Sequence, residues 1–149
     1  SFYARHNMSY WSYISAVNAA KSWGMSPSSV SVTSEGGQLR YAALFHRRGS
    51  SNWEIRPSTR AADYQAEFNA QVAAGRSLVA LQSYMHDGQV RYAAVYSDGI
   101  RGAWLARNSL SPLSYALYHS YYSNAGYRNT VLTGVDGASS PSLAAVWRR

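Results

Sequence analysis

A six-residue phrase, Arg40-Tyr41-Ala42-Ala43-Leu44-Phe45, returns as Arg91-Tyr92-Ala93-Ala94-Val95-Tyr96 and again as Ser142-Leu143-Ala144-Ala145-Val146-Trp147, 51 positions apart both times. Laying the chain on itself at that offset, without a gap, aligns Phe2 with Trp53 and Trp104, and Arg5 with Arg56 and Arg107. It also aligns Tyr13 with Tyr64 and Tyr115, and Gly24 with Gly75 and Gly126. A period of this length is one supersecondary unit that cannot bury its apolar face alone and must stack on its neighbours. The paired alanines, flanked by β-formers, let a helix approach a sheet closely while the next two positions fill the space beside it.

Within the first unit, residues 2–8 read as an extended segment. Ser9 is an N-cap, and Tyr13, Ile14, Val17 and Ala20 form a helical stripe over Tyr10–Trp23. Gly24 ends that helix in the left-handed region. Residues 25–29, with Pro27, read as a linker; 30–33 and 39–46 read as a hairpin about Glu35-Gly36-Gly37-Gln38. The second unit repeats this order: 53–56 extended, Pro57-Ser58-Thr59 as helix entry, and a helix over about 60–74 with Tyr64, Phe68 and Val72 on one stripe. Strands at 78–85 and 90–97 follow, joined at Asp87-Gly88. In the third unit Ser111-Pro112 opens the helix, and 130–135 pairs with 143–147 around a loop, 136–141, expected to be the least regular. The fold class is therefore α+β: three βαββ repeats, about nine mostly antiparallel strands, and three outer helices, as a pseudo-three-fold closed ring or an open half-barrel. Closure would remove exposed sheet edges. The expected organisation is a single domain, 1–149, with repeats at 1–51, 52–102 and 103–149.

At 149 residues, 46% of them hydrophobic, the chain is long enough to bury a core. No apolar run nears the roughly 20 residues of a membrane helix. Ser1 to Arg5 lacks the charged start and apolar core of a leader. There is no cysteine, which excludes disulfide and thiolate chemistry. Thirteen arginines and one lysine, Lys21, against seven acids give a net charge of +7, which favours anionic partners. The arginines are spread over all three repeats and not gathered in a stripe, so nucleic acid is disfavoured as a partner.

The aromatic-x-x-Arg start, the helix of the type Tyr64-Gln65-Ala66-Glu67-Phe68-Asn69, the glycine after it, and Gly88-Gln89-Val90-Arg91-Tyr92-Ala93-Ala94-Val95 together resemble the bacterial tandem repeat domain. That repeat occurs in bacterial proteins and in the amino-terminal part of secreted fungal polyglycine hydrolases, ahead of a β-lactamase-like serine hydrolase domain. The resemblance covers nearly the whole chain and is fullest in the second unit. Phe2 stands where the family has Trp, and Leu143 where the other units have Tyr. It implies an accessory, non-catalytic module in a secreted, extracellular setting, with no cofactor.

Catalysis has little to rest on. Asn18, not Ser, lies three before Lys21, and there is no Gly-x-Ser-x-Gly elbow. A triad built from distant Ser, His and Asp stays open. His6, His46, His86 and His119 fall at different phases, with no metal-ligand spacing. The sharper reading concerns Arg5, Arg56 and Arg107 with Phe2, Trp53 and Trp104 as ligand-binding positions. Guanidinium forks suit carboxylate, phosphate or sugar hydroxyls, and aromatic faces stack on sugars. Against it, each arginine can tie down its own repeat, with its stem packed on Trp or Tyr. Tyr13, Tyr64 and Tyr115 read as core, whereas Tyr118, Tyr121, Tyr122 and Tyr127 exceed what one helix face can bury. The expectation is a non-enzymatic module binding glycan or an extracellular protein. A small hydrolase with an unrecognised serine site, or a targeting domain cut from a larger serine hydrolase, is the alternative. No oligomeric state follows from the sequence.

Overall fold

The computed structural model describes residues 1–47, 52–98, 102–136 and 141–149. It contains β1 (Phe2–Met8), α1 (Tyr10–Ser22), β2 (Ser26–Glu35) and β3 (Gln38–His46). Then come β4 (Trp53–Arg60), α2 (Ala61–Ala73), β5 (Ser77–His86) and β6 (Gln89–Ser97). The third set is β7 (Trp104–Leu110), α3 (Pro112–Asn124), β8 (Arg128–Asp136) and β9 (Pro141–Arg148). The chain divides into two compact units, Ser1–Ile100 with the first two repeats and Arg101–Arg149 with the third.

Each repeat is a three-stranded antiparallel sheet with one helix, ordered β1-β3-β2, β4-β6-β5 and β7-β9-β8. The repeated phrase is thus the middle strand every time. The strands before and after the helix run parallel to each other, and the third slots between them, which is a split βαβ arrangement. Among the described residues the ladders make three separate sheets, so the closed-barrel version of the expected fold is corrected. Each sheet keeps its two edge strands.

The alternation of β3 explains where the helix sits. Tyr41, Ala43 and Phe45 share one core with Tyr13, Ala16 and Ala20 of α1, and the Tyr13 and Tyr41 rings stack at 5.0 Å. Tyr64 meets Tyr92 in a tilted contact at 4.5 Å, and Tyr115 stacks on Trp147 at 5.9 Å. Ser9 and Ser111 cap their helices by accepting from Ser12 N–H and Ser114 N–H. Arg60 occupies the same position in the second repeat and supplies no cap bond; its Nε pairs instead with Asp63 at 3.3 Å. Asp87 and Gly88 both have positive φ, as the tight hairpin needs.

Two expected boundaries are corrected. Residues 26–29 are not a linker: β2 starts at Ser26, and Pro27 is tolerated because β2 is an edge strand with a bulge between Pro27 and Ser29. Likewise Pro57-Ser58-Thr59 is not helix entry but the bulged stretch of β4. The loop of the third hairpin, 137–140, lies outside the described residues.

In the Ser1–Ile100 unit the first two repeats share a core. Ala93, Val95, Tyr84 and Trp53, all on the face of the second sheet away from α2, join the α1 side of the first repeat. Trp53 is 3% exposed, and its Nε1 donates to the Met25 carbonyl at 3.1 Å. In the other unit Leu110, Tyr122, Ala145 and Trp147 form the core, with Tyr115, Tyr118 and Tyr127 partly buried against it.

Candidate functional site

The three equivalent arginines each stand at the last paired position before a bulge. The register breaks after Arg5, after Arg56 and after Arg107. A bulge re-aims side chains without ending the strand, so the arginine is presented at the same place in every repeat. Its partner differs. Arg56 Nε lies 3.2 Å from Glu67 Oε2, which also accepts from Thr59 Oγ1 at 2.6 Å. Arg107 sits 4.0 Å over the Tyr118 ring, the residue in register with Glu67, and Nε donates to the Tyr122 hydroxyl at 2.7 Å. In the first repeat Ala16 holds that register position, and Arg5 reaches only the Tyr3 hydroxyl of its own strand, at 3.2 Å.

The aromatic positions separate as well. Trp53 is spent on the shared core, and Lys21 Nζ lies 4.9 Å over its ring. Phe2, in the same register, is 77% exposed. Trp104 is half-buried, with Arg148 at 5.8 Å above its ring. The three arginine–aromatic pairs therefore have different surroundings in the three repeats.

The structure assembles a cleft inside the Ser1–Ile100 unit, between α1 and the bulge of β4. A cavity of about 370 Å³ is lined by Tyr10, Tyr13, Ile14 and Val17 of α1, by Tyr41 of β3, and by residues 55–59. A second, of about 320 Å³, adjoins it through Arg56, Ser58 and Thr59 and continues past Arg60, Asp63, Glu67 and Arg91. The bulge between them is pinned from both sides: the Tyr84 hydroxyl donates to the Pro57 carbonyl at 2.8 Å, and Arg91 Nη1 donates to Ser58 Oγ at 3.0 Å. Tyr10 is about half exposed at the mouth, whereas Tyr13 is buried on the floor.

Burial first, then the neighbouring tyrosines, raises the Tyr13 and Tyr41 hydroxyls above the usual phenol value, opposed by Arg56 and Arg91 respectively. Both stay protonated donors at neutral pH. Sequence reasoning found Arg56 but not Tyr10, Tyr41 or Arg91 as partners for it. The available signal was that Tyr41 and Arg91 belong to the repeated phrase.

One further constellation spans the two repeats. Ser34 Oγ lies 2.8 Å from His86 Nδ1, and His86 Nε2 lies 3.2 Å from Asp87 Oδ2. That connectivity is serine–histidine–aspartate, but Asp87 is largely exposed and sits in the hairpin turn itself. Hydrolytic triads bury the aspartate to hold the imidazole; here the chain pins the β5–β6 turn to the end of β2. Among the described residues no group of three or more His, Cys, Asp or Glu forms a metal site. Among those residues no helix is long and apolar enough to cross a membrane.

The fold and the cleft define a tandem-repeat protein with a cleft where its first two repeats meet. The chain matches the polyglycine hydrolase-like structural repeat three times, over residues 1–48, 50–98 and 101–149, and belongs to that family. No curated protein matches it.

Proposed function

We propose that the chain is a non-enzymatic binding module of a secreted, extracellular protein, acting as a single domain that seats glycan in the cleft between its first and second repeats. The observation that carries this reading is the cleft itself: Tyr10 exposed on one wall above the buried Tyr13 and Tyr41, a pinned bulge with Arg56, Ser58 and Thr59 on the other. Aromatic walls with a few convergent polar groups are the usual make-up of a ligand site. Family membership supports the accessory role, since the family is described as a structural repeat. Titration of the chain with a panel of oligosaccharides, alongside Tyr10→Ala and Arg56→Ala, tests it. Binding by wild type that both variants weaken is expected; no binding to any glycan overturns it.

A second reading, a small serine hydrolase, rests on the Ser34–His86–Asp87 chain. A fluorophosphonate probe decides: covalent labelling of wild type that Ser34→Ala abolishes favours the hydrolase, and an unlabelled folded chain removes it.

A further inference from the structure

The rim of the smaller cavity carries three guanidiniums and two carboxylates. Arg56 is paired with Glu67 and Arg60 with Asp63. Arg91 is paired with neither. Its Nη1 donates to the neutral Ser58 hydroxyl, and its Nε is buried without an acceptor. The charge therefore meets no anion in the protein, and although Nε is out of a ligand's reach, the terminal guanidinium nitrogens keep N–H donors with which to take a carboxylate. The two flanking acids set a limit on that ligand. Each neutralises one arginine, which leaves a single cation in surplus, too few for a densely charged polyanion such as a nucleic acid backbone or a heavily sulfated glycan, whose binding depends on many cations in a row. A sparsely charged ligand, with one carboxylate per ring, meets the single surplus cation and avoids both acids. Ring-shaped, weakly polar faces suit the tyrosine wall beside it.

We propose, building on the binding-module reading, that the cleft is specific for acidic saccharides of the uronate type, the carboxylate on Arg91 and the sugar face against Tyr10, the exposed ring at its mouth.

The test is calorimetric titration of the whole chain with an oligogalacturonate and with the same oligomer fully methyl-esterified, which removes the charge and keeps the ring. The acid is expected to bind about tenfold or more tightly than the ester, as one charge-assisted pair is worth roughly 1.5–3 kcal/mol. Arg91→Gln should erase the difference, and Arg91→Lys should keep part of it. Equal binding of acid and ester overturns the uronate inference while leaving a glycan-binding module standing. Tighter binding of a heparin fragment that Arg91→Gln does not weaken also overturns it. Binding of neither oligomer by a chain that binds another glycan removes it too, whereas binding of no glycan at all removes the module reading itself. If Arg91→Gln does not fold, the acid-to-ester ratio of the native chain decides alone.

Discussion

Gln82 holds both backbone polar groups of Val32: its Oε1 accepts from the Val32 N–H at 2.7 Å and its Nε2 donates to the Val32 carbonyl at 3.1 Å. Val32 lies in β2, an edge strand of the first sheet, while Gln82 lies in β5 of the second. One side-chain amide thus does for this edge what a further strand would do.

Gln82→Met keeps the bulk and removes the amide, leaving two part-buried backbone groups of Val32 without partners. The expected loss is about 1–3 kcal/mol, read by chemical denaturation. A variant as stable as wild type would show that water replaces the amide at no cost.

Trp53 and Phe2 share a register position and have opposite surroundings. Trp53→Ala removes an indole from the junction between repeats and the hydrogen bond to Met25, and should cost about 3–5 kcal/mol. Phe2→Ala should fall within about 0.5 kcal/mol of wild type. Equal effects in thermal melts would mean that the two aromatics serve the fold alike.

The arginine series should rank by partner. Arg107→Ala loses a ring contact and a hydrogen bond, about 1–2 kcal/mol together. Arg56→Ala loses an ion pair whose arginine is 53% exposed, so screening holds it to about 0.2–1 kcal/mol. Arg5→Ala should leave the melting temperature unchanged. A destabilisation by Arg5→Ala as large as that of Arg107→Ala contradicts the ranking.

Tyr13, Tyr41, Tyr64, Tyr84 and Tyr96 all have hydroxyls raised above the ordinary phenol value of 10.0, with burial the largest cause in each. The native state then holds protons that the unfolded chain releases, so their contribution is fully present below pH 10 and is lost as the pH climbs above it. Melting temperature should fall steeply only above that point, with tyrosinate absorbance appearing together with unfolding. Tyrosinate forming well before the fold is lost would contradict this.

Most of the architecture was legible because the repeat shows it three times. The helices, the hairpin at Asp87-Gly88 and the glycine stops follow from local chemistry that any one copy carries. Two things were not legible. Pro27 and Pro57 look like breaks, since an isolated proline removes a ladder donor; only the strand order shows that both lie on edges beside bulges, where no donor is missed. The cleft was hidden for a different reason. Register arithmetic finds what the copies have in common but not which surface of one faces which surface of the next, and the cleft is made across that junction: Tyr10, Tyr13 and Tyr41 from one repeat against Arg56, Ser58 and Arg91 from the next.

The bulge behind each arginine has an evolutionary reading. It separates the strand's pairing from the direction in which that one side chain points, so the residue opposite is free to drift. Across three duplicated copies that opposing residue has become an acid, a phenol and a methyl group, at Glu67, Tyr118 and Ala16, while the ladders beneath kept their step. A gene that multiplies such a unit inherits a fixed frame with one editable position per copy, whose contacts change without the scaffold being renegotiated.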